Sequence, residues 1–205
     1  MNDTTAAGLV LIALVPLLAA EAVLYTRARV GGAFWRLPLD EKLDHVAGIE
    51  REWWGLGIVW VGMLTVTVAG LAASAFVLSD VWGWVGFGAA TVAAMAWLFG
   101  ITTQTAATAV ASRRRGESGE TPPWIHPLWQ MGWMYELTWV IVANLGYAAV
   151  GLAVLHSDPV ATWAGWALIG TGATIAIAIA AWPSGAFPQL GLIAPIVLAV
   201  AMLTA

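Results

Sequence analysis

The chain has 205 residues, of which 60% are hydrophobic and only 10% charged, with a net charge of -4 and no cysteine. A water-soluble domain of this size carries about a quarter of its residues as charges, and so few cannot cover its surface. The acidic balance excludes a nucleic-acid partner, whose phosphates need a basic face, and the missing thiols exclude disulfides, thiolate metal centres and cysteine nucleophiles.

A bilayer core is crossed by about 20 apolar residues of helix. Long charge-free runs, without the alternating pattern of a barrel, specify an all-α polytopic integral membrane bundle of about six transmembrane helices. The chain is expected to form one membrane domain over 1–205. The first span is 7–25; it lacks a basic leader and a small-residue cleavage site, reads as a retained helix, and contains the helix-bending Pro16. An amphipathic cytoplasmic helix follows over 40–52. Its apolar Leu43, Val46, Ile49 and Trp53 recur every three or four residues behind Asp40, a fitting N-cap. The second span, 53–78, and the third, 82–112, are joined by the turn at Ser79 and Asp80. The third is longer than a membrane requires, so its Thr/Ala/Gln-rich end is expected to protrude or lie on neighbouring helices. Residues 113–123, with Gly116, Gly119, Pro122 and Pro123, read as a cytoplasmic polar loop. Spans at 134–155, 160–182 and 189–204 complete the chain.

Every basic residue falls between the first and second spans (Arg27, Arg29, Arg36, Lys42, Arg51) or between the third and fourth (Arg113, Arg114, Arg115). Lysine and arginine are retained on the inner side, so the expected topology is a multi-pass protein of the cell's inner membrane with both termini outside.

The chain also resembles itself. Leu78, Ser79, Asp80 and Val81 lead to Gly83, Trp84, Gly86, Gly88 and Trp97; later Leu155, His156, Ser157, Asp158 and Val160 lead to Gly165, Trp166, Gly170, Gly172 and Trp182. Spans two and three would then correspond to spans four and five, a parallel repeat of a two-helix hairpin about an axis along the membrane normal.

Few polar residues are placed to carry chemistry. The 14 Trp are read first as interfacial anchors, and Glu21 as a carboxylate snorkelling to the boundary. His45, Glu50, Glu52, His126 and Glu136 are weak metal candidates, because the two hairpins place imidazoles and carboxylates at one membrane level, where a divalent metal or a haem is conceivable; no ligand-spacing motif supports either. His156 reads as a helix-end residue favourable to the dipole. Gln104, Asn144 and Tyr147, with Thr102, Thr103 and Thr105, are expected either to line a ligand pocket or to hydrogen-bond between helices.

Pro122, Pro123 and Trp124, followed by Trp129, Trp133 and Trp139, resemble the Trp-rich translocator-protein family, which would imply porphyrin or sterol binding. That family carries the signature early in the chain, whereas here it precedes the fourth span. The leading functional expectation is a non-enzymatic accessory or assembly subunit in the lipid bilayer, docking with a membrane-protein partner or as a homo-oligomer. A binder or transporter of a small or lipophilic molecule, and a membrane enzyme using the His/Glu cluster, are the alternatives.

Overall fold

A computed structural model describes residues 2–183 and 187–205, and the described chain is all-α. Five helices are long and apolar enough to cross a membrane: Asp3–Ala28, Glu50–Leu78, Val81–Ser118, Ile125–His156 and Thr162–Ala181. The last expected span is a shorter apolar helix, Pro188–Leu203. In chain order the elements are α1 (Asp3–Ile12), α2 (Leu14–Ala28), α3 (Gly32–Arg36), α4 (Leu39–Gly48), α5 (Glu50–Leu78), α6 (Val81–Ile101), a π-helical segment (Thr102–Ala107), α7 (Thr108–Ser118), α8 (Ile125–His156), α9 (Thr162–Ala181), a 3-10 turn (Pro188–Leu192) and α10 (Ile193–Leu203).

Local chemistry explains the interruptions. Asn2 caps α1 by accepting the Thr5 N–H at 2.8 Å, and the turn at Ala13 falls just before Pro16, whose missing N–H cannot bond back to Ile12. Pro195 likewise has no N–H to offer Gly191, at the point where the 3-10 turn Pro188–Leu192 gives way to α10. The expected helix 40–52 is divided: Ile49, at φ -131°, ends α4 and lets α5 begin at Glu50. The expected loop 113–123 is shorter than its glycines and prolines imply. Helix α7 runs through Arg113, Arg114 and Arg115 to Ser118, and Gly119, at φ 77°, closes it with an N–H to the Arg115 carbonyl at 2.7 Å.

The chain forms two compact units. The first comprises Met1–Val15, Leu64–Trp97 and Glu136–Ala205. Within it glycines bring helices to backbone contact. A Cβ on Gly86 would collide with the Gly146 carbonyl oxygen of α8, one on Gly172 with the Asn144 carbonyl oxygen, and one on Gly151 with the Gly165 carbonyl oxygen. Helix α6 and helix α9 therefore each meet α8 through small residues, as lipid-embedded helices do when close packing must replace hydrophobic exclusion. Helix α1 lies along α10, with Gly8 against Leu203 and Ser74 of α5 3.4 Å from the Met202 sulfur. Trp97 and Trp139 stack at 5.0 Å, and the Trp139 indole N–H donates to the Pro188 carbonyl at 3.0 Å.

The second unit comprises Pro16–Met63 and Leu98–Tyr135. All eight Lys and Arg residues lie in it. Its α4 packs on α7 through Leu43, Ala111 and Ile125, which are fully buried, and the Ser112 hydroxyl donates to the Leu43 carbonyl at 2.6 Å.

Glycine contacts in the first unit make a sharp prediction. Gly86→Ala and Gly172→Ala should each destabilise the protein by about 1–3 kcal/mol, because the atom struck is a helix backbone that cannot yield. Gly88→Ala and Gly170→Ala, where nothing lies within 4 Å, should be neutral or stabilising. Unfolding by SDS titration from mild detergent micelles measures the difference.

Candidate functional site

The second unit concentrates the aromatic and polar groups. One face of α5 carries Trp53, Gly57 and Trp60 at helical spacing, all three buried. Trp53 and Trp60 meet edge-on at 6.4 Å, Tyr25 lies 6.5 Å from Trp60, and Phe34 lies 5.7 Å from Trp53. Trp35 extends the cluster to Trp129 at 6.3 Å, and the Lys42 ammonium sits 5.0 Å above the Trp129 ring. Burial lowers the pKa of Lys42 by disfavouring its charged form, and the ring face offsets part of that cost.

Two indoles of this face serve as donors. The Trp60 N–H donates to the buried Glu21 carboxylate at 2.6 Å, so Glu21 is held inside the unit instead of reaching the boundary. The Trp53 N–H donates to the Thr105 carbonyl at 3.1 Å. Thr105 belongs to the π-helical segment, in which i→i+5 bonding widens the turn; such segments are rare and are often found at functional sites.

Neighbouring helices close on that turn. A Cβ on Gly57 would lie 2.7 Å from Thr105 Cγ2, and one on Gly132 of α8 would lie 2.8 Å from Gln104 Cγ. Thr102 and Thr103 fold their hydroxyls back onto carbonyls four residues earlier, Leu98 and Phe99, at 2.9 and 3.0 Å, the usual way to satisfy such a group in an apolar helix. Thr105 and Thr108 do not. Their Oγ1 atoms and Gln104 Oε1 are buried without a hydrogen-bond partner, and Thr108 follows Gln104 by four residues and Thr105 by three, one turn along from each.

The other sequence candidates are dispersed. His45 Nε2 donates to the Ala28 carbonyl at 2.8 Å, which caps the end of α2, and its ring lies 5.3 Å from Phe34. Glu50 pairs with Arg113. Glu52 is half-buried, His126 exposed and Glu136 buried. Among the described residues no group of three His, Asp or Glu is placed to hold a metal ion. In the first unit Asn144 donates to the Val140 carbonyl at 2.7 Å, while its Oδ1 and the Tyr147 hydroxyl are buried without partners. His156 Nδ1 faces Asp80 at 3.6 Å.

Sequence reasoning missed the aromatic cluster because it treated the tryptophans alike. Trp53, Trp97 and Trp139 are at most 1% exposed and Trp60 4%, whereas Trp163, Trp166 and Trp182 are more than half exposed, as anchors would be. Seven-residue spacing of Trp53 and Trp60 around a glycine was the signal available. Comparison with protein-family models, with curated proteins and with solved structures found no match. The resemblance of the Pro122, Pro123, Trp124 stretch to the translocator-protein family therefore gains no support.

An ion-pair clamp fastens α4 to α7 beside this site. Arg115 binds Asp44 through Nε at 2.6 Å and Nη2 at 3.1 Å, and reaches the Thr121 hydroxyl at 2.7 Å. Hydrogen bonding from Arg115 holds the Asp44 carboxyl below its ordinary value of 3.8. A depressed carboxyl contributes stability above its unfolded pKa and loses it as pH falls through the folded value. The protection factors of the α4 amides, corrected for the slower intrinsic exchange in acid, should thus fall on acidification below the ordinary value. Asp44→Asn should exchange faster at neutral pH and show a weaker dependence on acid, with both effects small because the pair is exposed.

Proposed function

We propose that the protein is a six-span helical protein of the inner membrane, a single membrane domain with both termini outside, that binds a small polar ligand among the helices of its second unit. Five long apolar helices support the membrane assignment, with Pro188–Leu203 as the sixth span. The orientation rests on the confinement of all Lys and Arg to 27–51 and 113–115, the part of the chain retained in the cytoplasm. Under this reading α5–α6 and α8–α9 are the two copies of the parallel hairpin repeat, each turning beside an Asp: Asp80 in one and Asp158 in the other.

One observation carries the ligand-binding reading and favours it over a docking subunit or an enzyme. Gln104 Oε1 and Thr105 Oγ1 in the π turn and Thr108 Oγ1 at the start of α7 are buried without partners. An orphaned polar atom costs about 1–3 kcal/mol, and three together are better explained by a ligand than by packing. Trp53, Trp60 and Trp129 give the surroundings rigidity, and the π turn supplies a backbone able to adjust.

Topology is tested on the cysteine-free chain with single thiols. Arg114→Cys should react with a membrane-impermeant maleimide only after the cells are opened, and Thr204→Cys in intact cells; the opposite pattern overturns the orientation.

Ligand binding is tested by thermal unfolding in detergent at constant ionic strength, against small inorganic cations, amines and neutral amides or polyols. At least one class should raise the midpoint saturably, as linkage requires. The Thr105→Val, Thr108→Val double variant should not respond. A flat response from the parent protein to every class, with the double variant more stable, would identify the oxygens as uncompensated packing and remove the proposal.

A further inference from the structure

The chemistry of the π-turn oxygens narrows the ligand. Resting on the binding reading above, we infer that the site takes a small monovalent cation of the sodium type, coordinated by Gln104 Oε1, Thr105 Oγ1 and Thr108 Oγ1.

The donor set argues for charge sign, hardness and valence in turn. An amide oxygen is an acceptor only, and threonine hydroxyls can turn their lone pairs to a common centre; such a set stabilises a cation and offers an anion nothing from Gln104 Oε1. Trp53, Gly57 and Trp60 are successive positions on one face of α5; Trp53 bonds the Thr105 carbonyl and Trp60 bonds Glu21. A single ridge of α5 therefore links the π turn to the buried Glu21 carboxyl within the unit. Lys42, also buried in this unit, is held over Trp129.

All three atoms are oxygen, which suits hard cations; soft or borderline metals favour sulfur and imidazole nitrogen, and no cysteine exists in the chain. Calcium and magnesium sites are built on carboxylates. No group of three acidic or histidine residues gathers among the described residues, so neutral oxygens dominate the set and a single charge is what they can hold. The π turn also departs from the regular i→i+4 ladder, and its Thr105 carbonyl accepts from the Trp53 indole as well as from the Thr108 N–H. The setting resembles in principle the unwound helices that coordinate ions at depth in other membrane proteins.

Size is set by the flanking glycines. Gly57 and Gly132 leave no room for a methyl group beside Thr105 and Gln104, so the neighbouring helices already sit against the turn. Packing this close excludes a bulky organic amine.

Sodium, potassium and ammonium chloride are titrated against choline chloride at fixed ionic strength, reading Trp emission and the unfolding midpoint of the full-length protein in detergent. Saturable, cation-selective changes in both are expected. Gln104→Met, Thr105→Val and Thr108→Val should each weaken the apparent affinity about tenfold, equivalent to the loss of about 1.4 kcal/mol, while Thr105→Ser and Thr108→Ser, which keep the oxygen, retain it. The serine variants separate loss of a ligand atom from loss of fold. Choline matching every other cation overturns the inference, as a bridging water alone would produce. A response confined to divalent ions, to organic amines or to neutral solutes overturns it too, yet leaves the ligand-binding proposal standing; a flat response to all classes, with more stable valine variants, removes both.

Discussion

The hydrogen bond from the Trp53 indole to the Thr105 carbonyl is the hinge of the second unit. A helix surrounded by lipid must satisfy its own backbone, since no water is present to do so. The segment Thr102–Ala107 departs from the regular ladder. Its Thr105 carbonyl accepts from the Thr108 N–H and also from the Trp53 indole, which ties α5 to the π turn. Gly57, one turn further along, lets the two backbones come close enough for that bond to form. The same α5 face then continues to Trp60 and Glu21, so the buried carboxylate, the aromatic cluster and the widened turn are consequences of one helix face and its partner.

Charge is distributed with equal economy. Helices α4 and α7 carry Asp44, Arg113 and Arg115, and their ion pairs use surface charge to hold a short amphipathic helix over Leu43, Ala111 and Ile125. Exposed pairs of this kind contribute little singly. Burial of Leu43 and the Ser112 bond to its carbonyl carry more of the attachment. The first unit contains no lysine or arginine at all, and its helices rely instead on glycine contacts and on a stacked pair of tryptophans. Close glycine contacts thus occur in both units, and arginine ion pairs in the second, where the positive charge lies.

Much of the architecture could be read in advance because the bilayer imposes a length and a hydropathy that single residues report independently. Charge-free runs, the turns at Asp80 and Asp158 and the confinement of arginine need no knowledge of partners. Boundaries were less legible. Helix α7 outruns the expected loop because Arg113 and Arg115 meet Glu50 and Asp44, residues over sixty positions away. Ile49 breaks the helix expected over 40–52 although its hydrophobic spacing continues unbroken into α5.

The candidate site was legible only as a roll of polar residues. Gln104, Asn144 and Tyr147 stood out because polar groups are rare in such helices, and all three are buried with an unpartnered atom. The imidazoles and acids that looked sharper chemically, His45, Glu50 and His126, are instead a helix cap, an ion pair and an exposed ring. Amino-acid order by itself determined the helical class, the long apolar segments and the placement of positive charge, since each follows from the transfer free energy of a residue between water and lipid. Tertiary structure alone decided which tryptophans are interior, where a helix widens into a π turn and which hydroxyls are left without a partner. Those features depend on which helix faces meet, and residue type cannot encode the choice of neighbour.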